Sequence, residues 1–285
     1  MLTTTHYDPI DYLVVGHLTQ DLTPDGPRLG GTAAYSALAA RALGLRVGIV
    51  TACNPKIDLS ILAGIPIALI PSDVSTTFEN ITTSDGRIQY LYSSAPVLDA
   101  TCVPQTWKNT PIVHLGPVAQ EVDPTLPRLF ENSLIGLTPQ GWLRSWDQEG
   151  RVSACEWPEA SFVLERATAA VLSIEDVQRN EERIEEMVTS IRILVVTEGA
   201  QGSRLYWNGD LRRFRPPQMV EVDSVGAGDI FAAAFFARLQ RTRDPWEAAR
   251  YATSLAAASV TRPGLQGIPL PAEVEAAANE IITTG

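Results

Sequence analysis

Lysine is almost missing. Lys56 and Lys108 are the only two, so arginine supplies the rest of the 22 basic residues. Neither lysine follows a glycine-rich loop, which excludes a Walker-type phosphate loop. Cysteine is scarce as well: Cys53, Cys102 and Cys155 are far apart, odd in number and form no C-x-x-C pair. That pattern argues against a disulfide scaffold and a zinc ribbon, and predicts a reducing, cytoplasmic compartment. No apolar run reaches the roughly 18 residues of a membrane span. The first ten residues lack Lys and Arg and do not read as a signal peptide. Acids number 33, giving a net charge of −11 with no basic run, so neither nucleic acid nor a membrane surface is an expected partner. The motifs G-x-G-x-x-G, H-E-x-x-H and G-x-S-x-G are absent, which sets aside standard NAD enzymes, zinc proteases and serine hydrolases. His6, His17 and His114 stand at no ligand spacing from other metal-binding types.

What is present is a globular composition: 285 residues, 45% hydrophobic and 19% charged, enough to bury a core without staples. Short apolar runs rich in β-branched residues alternate with helical patterns. Strands are predicted at 11–18, 46–53, 65–71, 111–117, 169–174 and 192–199. Helices are predicted at 32–44, with Gly44 as C-cap, and at 174–190. Continuous apolar strands between helices imply a mainly parallel sheet covered on both faces. The stretch 76–95 breaks the rhythm, with alternating residues around Ser84-Asp85-Gly86-Arg87, a hairpin signal. It reads as part of a small lid sheet or as a plain surface hairpin.

DSVGAGDIFAAAFFARLQ (223–240) carries the chemistry. Gly226-Ala227-Gly228 is a turn leading into an almost wholly apolar, hence buried, helix. Backbone N–H groups at such a helix start converge on one place, and the helix dipole adds positive potential there. This is an anion site built without lysine or arginine. Asp229 beside it has two readings. It is an ordinary N-cap, or a base that takes a proton from an alcohol while the amides hold the group that the alcohol attacks.

DSVGAGDIF resembles the D-[ST]-x-G-A-G-D-x-F signature of the PfkB, or ribokinase-like, carbohydrate kinases. GHLTQD (16–21), LGGTAAYSALAARALG (29–44), VVTEGAQGS (195–203) and ASVTRPGLQGIP (258–269) are similar to further family segments, in the family's order. The resemblance implies a three-layer α/β/α sandwich with a mainly parallel central sheet and a small β lid. It implies a single domain over residues 1–285, with lid segments at about 17–28 and 74–95. Asp229 would be the base, and the amides of Gly226, Ala227 and Gly228 would stabilise the transferring γ-phosphoryl. Asp21, Gly30 and Gly31 would hold acceptor hydroxyls. Thr197, Gly199 and Gly202 would line the nucleotide. Asp223 and the carbonyl of Val225, with carbonyls near Ser259, Arg262 and Gly264, would form a potassium-type site. The cofactors implied are ATP and Mg²⁺, with K⁺ as a further candidate. The chain would be a monomer or a lid-mediated homodimer.

The sequence departs from the family in three places. The usual N-x-x-E reads Ser173-Ile174-Glu175-Asp176, so magnesium handling falls to Asp176 or its neighbour Glu175, or this is only a helix cap. Tyr35 and Thr19 stand where relatives carry Asn, which argues against ribose as acceptor. In GLTPQGWLRSWD (136–147), Gln140 and Arg144 are the nearest matches to the Asn and Arg of sugar-acid kinases. Arg144 either balances phosphoryl charge or is a surface residue. The expectation is an ATP-dependent kinase acting on a sugar, polyol or nucleoside. The rival is a non-catalytic metabolite-binding protein on the same fold.

Overall fold

The computed structural model describes residues 7–83 and 86–279. The hairpin turn expected at Ser84-Asp85, like His6, lies outside the described residues. In chain order the elements are β1 (Tyr12–Val15), β2 (Thr19–Thr23), β3 (Gly26–Gly30), α1 (Thr32–Ala42), β4 (Val47–Cys53), β5 (Ile67–Pro71), β6 (Thr76–Thr83), β7 (Gly86–Ser93), β8 (Ile112–Leu115) and β9 (Leu134–Leu137). There follow β10 (Arg144–Trp146), β11 (Val152–Ala154), α2 (Ala160–Leu164), β12 (Ala169–Ser173), α3 (Glu181–Ser190), β13 (Ile193–Thr197), β14 (Ser203–Trp207), β15 (Asp210–Phe214), α4 (Ala227–Thr242), α5 (Pro245–Ser259) and α6 (Pro271–Asn279).

The large sheet runs β15-β14-β13-β12-β9-β8-β1-β4-β5. From β5 to β13 every pairing is parallel; β14 and β15 add an antiparallel edge. Strand periodicity explains the layers. In β1, Tyr12 and Val14 face one core, while Leu13 and Val15 face the other. In β13, Ile193 and Val195 oppose Leu194 and Val196 in the same way. Helices α1, α4, α5 and α6 cover the first face; α2 and α3 cover the second. The expected mainly parallel sheet between helical layers is what the chain forms. A second, mixed sheet has the order β3-β2-β6-β7, with β2 parallel to β6 and the other pairs antiparallel. Its Phe78 and Leu91 pack on Val118 and Ala119.

The structure differs from the sequence reading in several elements, among them a helix start and a hairpin. The helix expected over 174–190 begins only at Glu181. Gln178 and Arg179 adopt φ of 55° and 58°, which breaks the helical run, and the Asn180 side chain then caps α3 by accepting from Glu182 and Arg183 N–H. The β14–β15 hairpin was not anticipated, although Asn208-Gly209 between its strands is a strong turn signal. Both residues take left-handed φ, at 53° and 83°, as such a tight turn requires.

The close approach of α4 to the sheet depends on Gly136 in β9. A Cβ there would come within 2.5 Å of the buried Phe236 ring. Gly136→Ala is therefore expected to destabilise the fold by about 1–3 kcal/mol through overpacking, read as a lower midpoint in thermal unfolding.

Candidate active site

The site gathers beyond the C-terminal ends of the parallel strands, where ligands of open α/β sheets bind. Its base is the start of α4. This helix is buried along Ile230–Phe236 because its sequence is apolar on every side. Gly226 precedes it with φ 79°, ψ −4°, and a Cβ there would fall 2.1 Å from the Tyr35 ring. Both the backbone and the ring therefore require glycine. The Gly226 and Gly228 N–H groups have no acceptor among the described residues. The Ala227 N–H differs from expectation: it donates to the Ser224 carbonyl at 3.2 Å, closing the turn. Two of the three expected amides are free for an anion.

Asp229 is the third residue of α4 and does not cap it; the N-cap is Gly226 and no side chain caps the helix. Its carboxylate instead accepts a hydrogen bond from the Thr32 hydroxyl at the start of α1. The Ser36 hydroxyl donates to the Asp229 carbonyl at 3.3 Å, tying α1 to α4. Burial pushes the Asp229 carboxyl up to about 6; the Thr32 bond opposes this, Asp176 and Asp21 add to it by repulsion, and Arg144 opposes it by attraction. Asp21, Asp176 and Arg144 each act electrostatically on Asp229.

On the acceptor side, Thr19 donates to Asp21 at 3.0 Å. Gly30 lies directly beneath that carboxylate, where a Cβ would meet an Asp21 oxygen. Tyr35 is buried between the anion turn and the loop at Gly264, where a Cβ would lie 3.7 Å from its hydroxyl. Burial raises its phenol, and Asp21, Asp229 and Asp223 add to the rise, so the hydroxyl stays protonated. Its ring is engaged with Gly226, so packing on the turn is part of its role.

The two acids of the altered motif separate. Glu175 pairs with Arg179 at 2.6 Å on the exposed side. Asp176 turns inward: it accepts from the Ser173 N–H at 2.9 Å and from Gln140 at 3.1 Å. The Ser173 hydroxyl accepts from the Glu175 N–H at 3.2 Å, which orients the two acids oppositely. Asp176 is the acid directed toward Asp229, and Glu175 is not. Among the described residues no group of three or more His, Cys, Asp or Glu is placed to hold a metal. A magnesium ion here would rely on Asp176 together with oxygens of the phosphate donor, a set that suits that ion.

Thr197, Gly199 and Gly202 form the turn after β13. The Glu198 N–H donates to the Gly202 carbonyl at 2.7 Å, and the Glu198 carboxylate bridges Arg204 and Arg213. At the expected cation loop, Asp223 accepts from the N–H groups of Val225 and Gly264, at 2.9 and 2.8 Å. The Ser259 carbonyl accepts from the Arg262 N–H at 3.3 Å, and the Arg262 side chain pairs with Glu273. The role these groups display is loop closure. Two surface clefts, one beside Lys56 and Asp73 and one beside Tyr92 and Trp146, include none of these residues.

Thr32 and Glu121 escaped the sequence reading. Thr32 looks like any first residue of a helix. Glu121 stands alone in the apolar GPVAQEV, a signal in retrospect: buried, it accepts from the N–H groups of His17, Val118 and Ala119. His114 is a packed core residue; burial pushes its imidazole down to about 3.

Known proteins of similar sequence and structure share the fold. The sequence model described as pfkB family carbohydrate kinase matches residues 157–273. An inositol 3-kinase of rice (Oryza sativa subsp. japonica) is 27% identical over 90% of this chain and 70% of its own length. A pyrophosphate-dependent myo-inositol-1 kinase converted by mutation into a myo-inositol-3 kinase superposes with a TM-score of 0.76, at 18% identity, covering 94% of this chain and 98% of its own. The Arabidopsis thaliana ribokinase complexed with ribose and ATP gives 0.74 at 16% identity, covering 96% and 100%.

The raised Asp229 pKa has a consequence for stability. Because the folded value, about 6, exceeds the ordinary 3.8, protonation favours the folded state. The charged carboxylate costs stability above that value, and the cost vanishes once pH falls below the ordinary one. Asp229→Asn is expected to stabilise the protein at pH 8 by about 1–3 kcal/mol and to leave it unchanged near pH 3.5, measured by denaturant unfolding at both pH values.

Proposed function

We propose that the chain, which is similar to pfkB family carbohydrate kinases over residues 157–273 and to an inositol 3-kinase, is a phosphotransferase with an alcohol acceptor that transfers the terminal phosphoryl group of ATP to a hydroxyl of a cyclic polyol of the myo-inositol type. The observation that carries the mechanism is the pairing of Asp229 with the free amides of Gly226 and Gly228 at the start of α4. The polyol reading draws on the inositol kinase similarity and on Thr19 and Tyr35, which stand where ribokinases carry Asn.

Asp229 is the base. Near neutral pH its carboxylate is ionised yet basic enough to accept a proton from an alcohol as the bond to phosphorus forms. The acceptor oxygen attacks the γ-phosphorus in line, its proton passes to Asp229, and the bond to the β-phosphate bridging oxygen breaks. ADP leaves with that electron pair. Charge developing on the transferred group faces the Gly226 and Gly228 N–H groups and the guanidinium of Arg144. Thr32 holds the Asp229 carboxylate in place. Asp21, steadied by Thr19, takes the hydroxyls of the acceptor, since a carboxylate offers two acceptor oxygens to a vicinal diol. The turn at Thr197, Gly199 and Gly202 lines the nucleotide, and the small sheet forms a lid over the acceptor. Magnesium, held through Asp176, would supply charge neutralisation on the donor phosphates.

The donor is tested beside the acceptor, because a structural neighbour uses pyrophosphate. In a screen of myo-inositol, other polyols, sugars and nucleosides with ATP or pyrophosphate, turnover is expected with ATP and a cyclic polyol. Turnover with pyrophosphate alone would correct the donor. Ligand binding by calorimetry without turnover on either donor would replace the kinase by a non-catalytic metabolite-binding protein.

With a substrate in hand, Asp229→Asn is expected to lower kcat by about 10²–10⁴-fold. In the parent protein kcat/KM should fall tenfold per pH unit below about 6, as Asp229 becomes protonated. Arg144→Ala should lower kcat while donor affinity is kept; equal kcat in both proteins would remove Arg144 from the site.

A further inference from the structure

The chain passes between the large and small sheets four times: at 16–18 from β1 to β2, at 30–32 from β3 to α1, at 75–76 into β6, and at 94–96 out of β7. All four passages meet at one side chain or its backbone. His17 is fully buried. Its Nδ1 lies 2.6 Å from the hydroxyl of Thr76, the first residue of β6. Its Nε2 lies 2.9 Å from the Pro96 carbonyl, just past β7. The His17 N–H donates to the buried Glu121 carboxylate at 2.9 Å. A Cβ on Gly31 would come within 2.6 Å of the His17 carbonyl, so the fourth passage is also held against this residue.

The partners fix the proton. Pro96 offers only an acceptor, so Nε2 carries the hydrogen. The Thr76 oxygen already accepts from the Ala95 N–H at 3.0 Å, which leaves its own hydrogen for Nδ1. The imidazole thus joins entry and exit of the small sheet, through a buried bond to Thr76 and a part-buried one to Pro96. The bond to Thr76 is buried and directional, and leaving either of its partners unmet is costly.

We propose that His17 is the pin that sets the small sheet over the acceptor pocket, a positioning residue that acts through Thr19 and Asp21 on the strand it begins. The inference rests on the reading of that sheet as the acceptor lid. No chemical step passes through His17; its two ring bonds hold β6 and the end of β7 in register with β2, and so hold Asp21 at a fixed height above Asp229.

The test compares His17→Leu, which removes both ring bonds, with His17→Gln, which keeps a donor toward Pro96. Phe130→Leu is the control, a buried core variant outside the small sheet. Hydrogen exchange followed by mass spectrometry is expected to show amides of β2, β3, β6 and β7 exchanging about tenfold faster in His17→Leu, with β12 and β13 unchanged. His17→Gln should lie between His17→Leu and the parent. The acceptor KM should rise about tenfold in His17→Leu while the donor KM stays within about twofold. Phe130→Leu should lower the unfolding midpoint without this selective pattern. Uniform acceleration in both sheets, unchanged exchange in the small sheet, or equal shifts in both Michaelis constants would each overturn the proposal. If His17→Leu does not fold, Thr76→Val is read by the same criteria. The exchange experiment needs no substrate, so failure of every acceptor in the screen would remove the kinase reading while the pin is still decided.

Discussion

The apolar surface of α4 runs around the whole helix, so it is stable only where it is covered on all sides. It packs against α1, α5 and the strands β8, β9 and β12. That placement seats the first turn of the helix at the C-terminal edge of the parallel strands, with the Gly226 and Gly228 amides there lacking an acceptor among the described residues. The same placement withdraws the Asp229 carboxylate from water, which is the largest cause of its raised pKa. Fold stability and chemical potential at the site therefore arise from one burial. A polar helix at this position would leave the acid an ordinary one and its amides solvated.

The carboxylates around that turn carry the second constraint. Asp21 and Asp176 repel Asp229, and Arg144 offsets part of that repulsion. Each acid is anchored by a different device: Thr19 for Asp21, Gln140 and the Ser173 N–H for Asp176, Thr32 for Asp229. Anchoring keeps three like charges from relaxing apart toward solvent. A site of this sign attracts cationic counterparts and hydroxyl donors, while the Gly226 and Gly228 amides and the Arg144 guanidinium offer positive potential beside it.

The parallel strands were legible because a strand buried on both faces is a short continuous apolar run, as in Tyr12–Val15 and Ile193–Thr197. The glycine turn before α4 was legible because glycines before an apolar helix leave few alternatives. What could not be read depended on contacts between distant segments. Nothing local to Thr32 announces a bond to a residue almost two hundred positions later. Tyr35 was visible as a departure, but its ring packing on Gly226 needs the approach of α1 to α4. The false helical start at 174 followed from good helix formers whose φ angles at Gln178 and Arg179 are reversed by the turn that brings Asp176 inward. The loss of the Ala227 amide to Ser224 is a property of turn geometry, invisible in G-A-G-D.

The two outer strands of the large sheet are finished differently from the seven between them. β5 is preceded by Pro66 and ends on Pro71. β15 presents Asp210, Arg212 and Arg213 on an exposed edge, with Arg212 lying over the Trp246 ring at 4.3 Å, and Pro216-Pro217 follow soon after. Proline has no hydrogen to donate to a neighbouring ladder, and charged flanks resist an apolar newcomer. A nascent or partly unfolded copy of the chain thus meets closed borders rather than a template, and growth of the sheet from molecule to molecule into fibrils is discouraged at both ends.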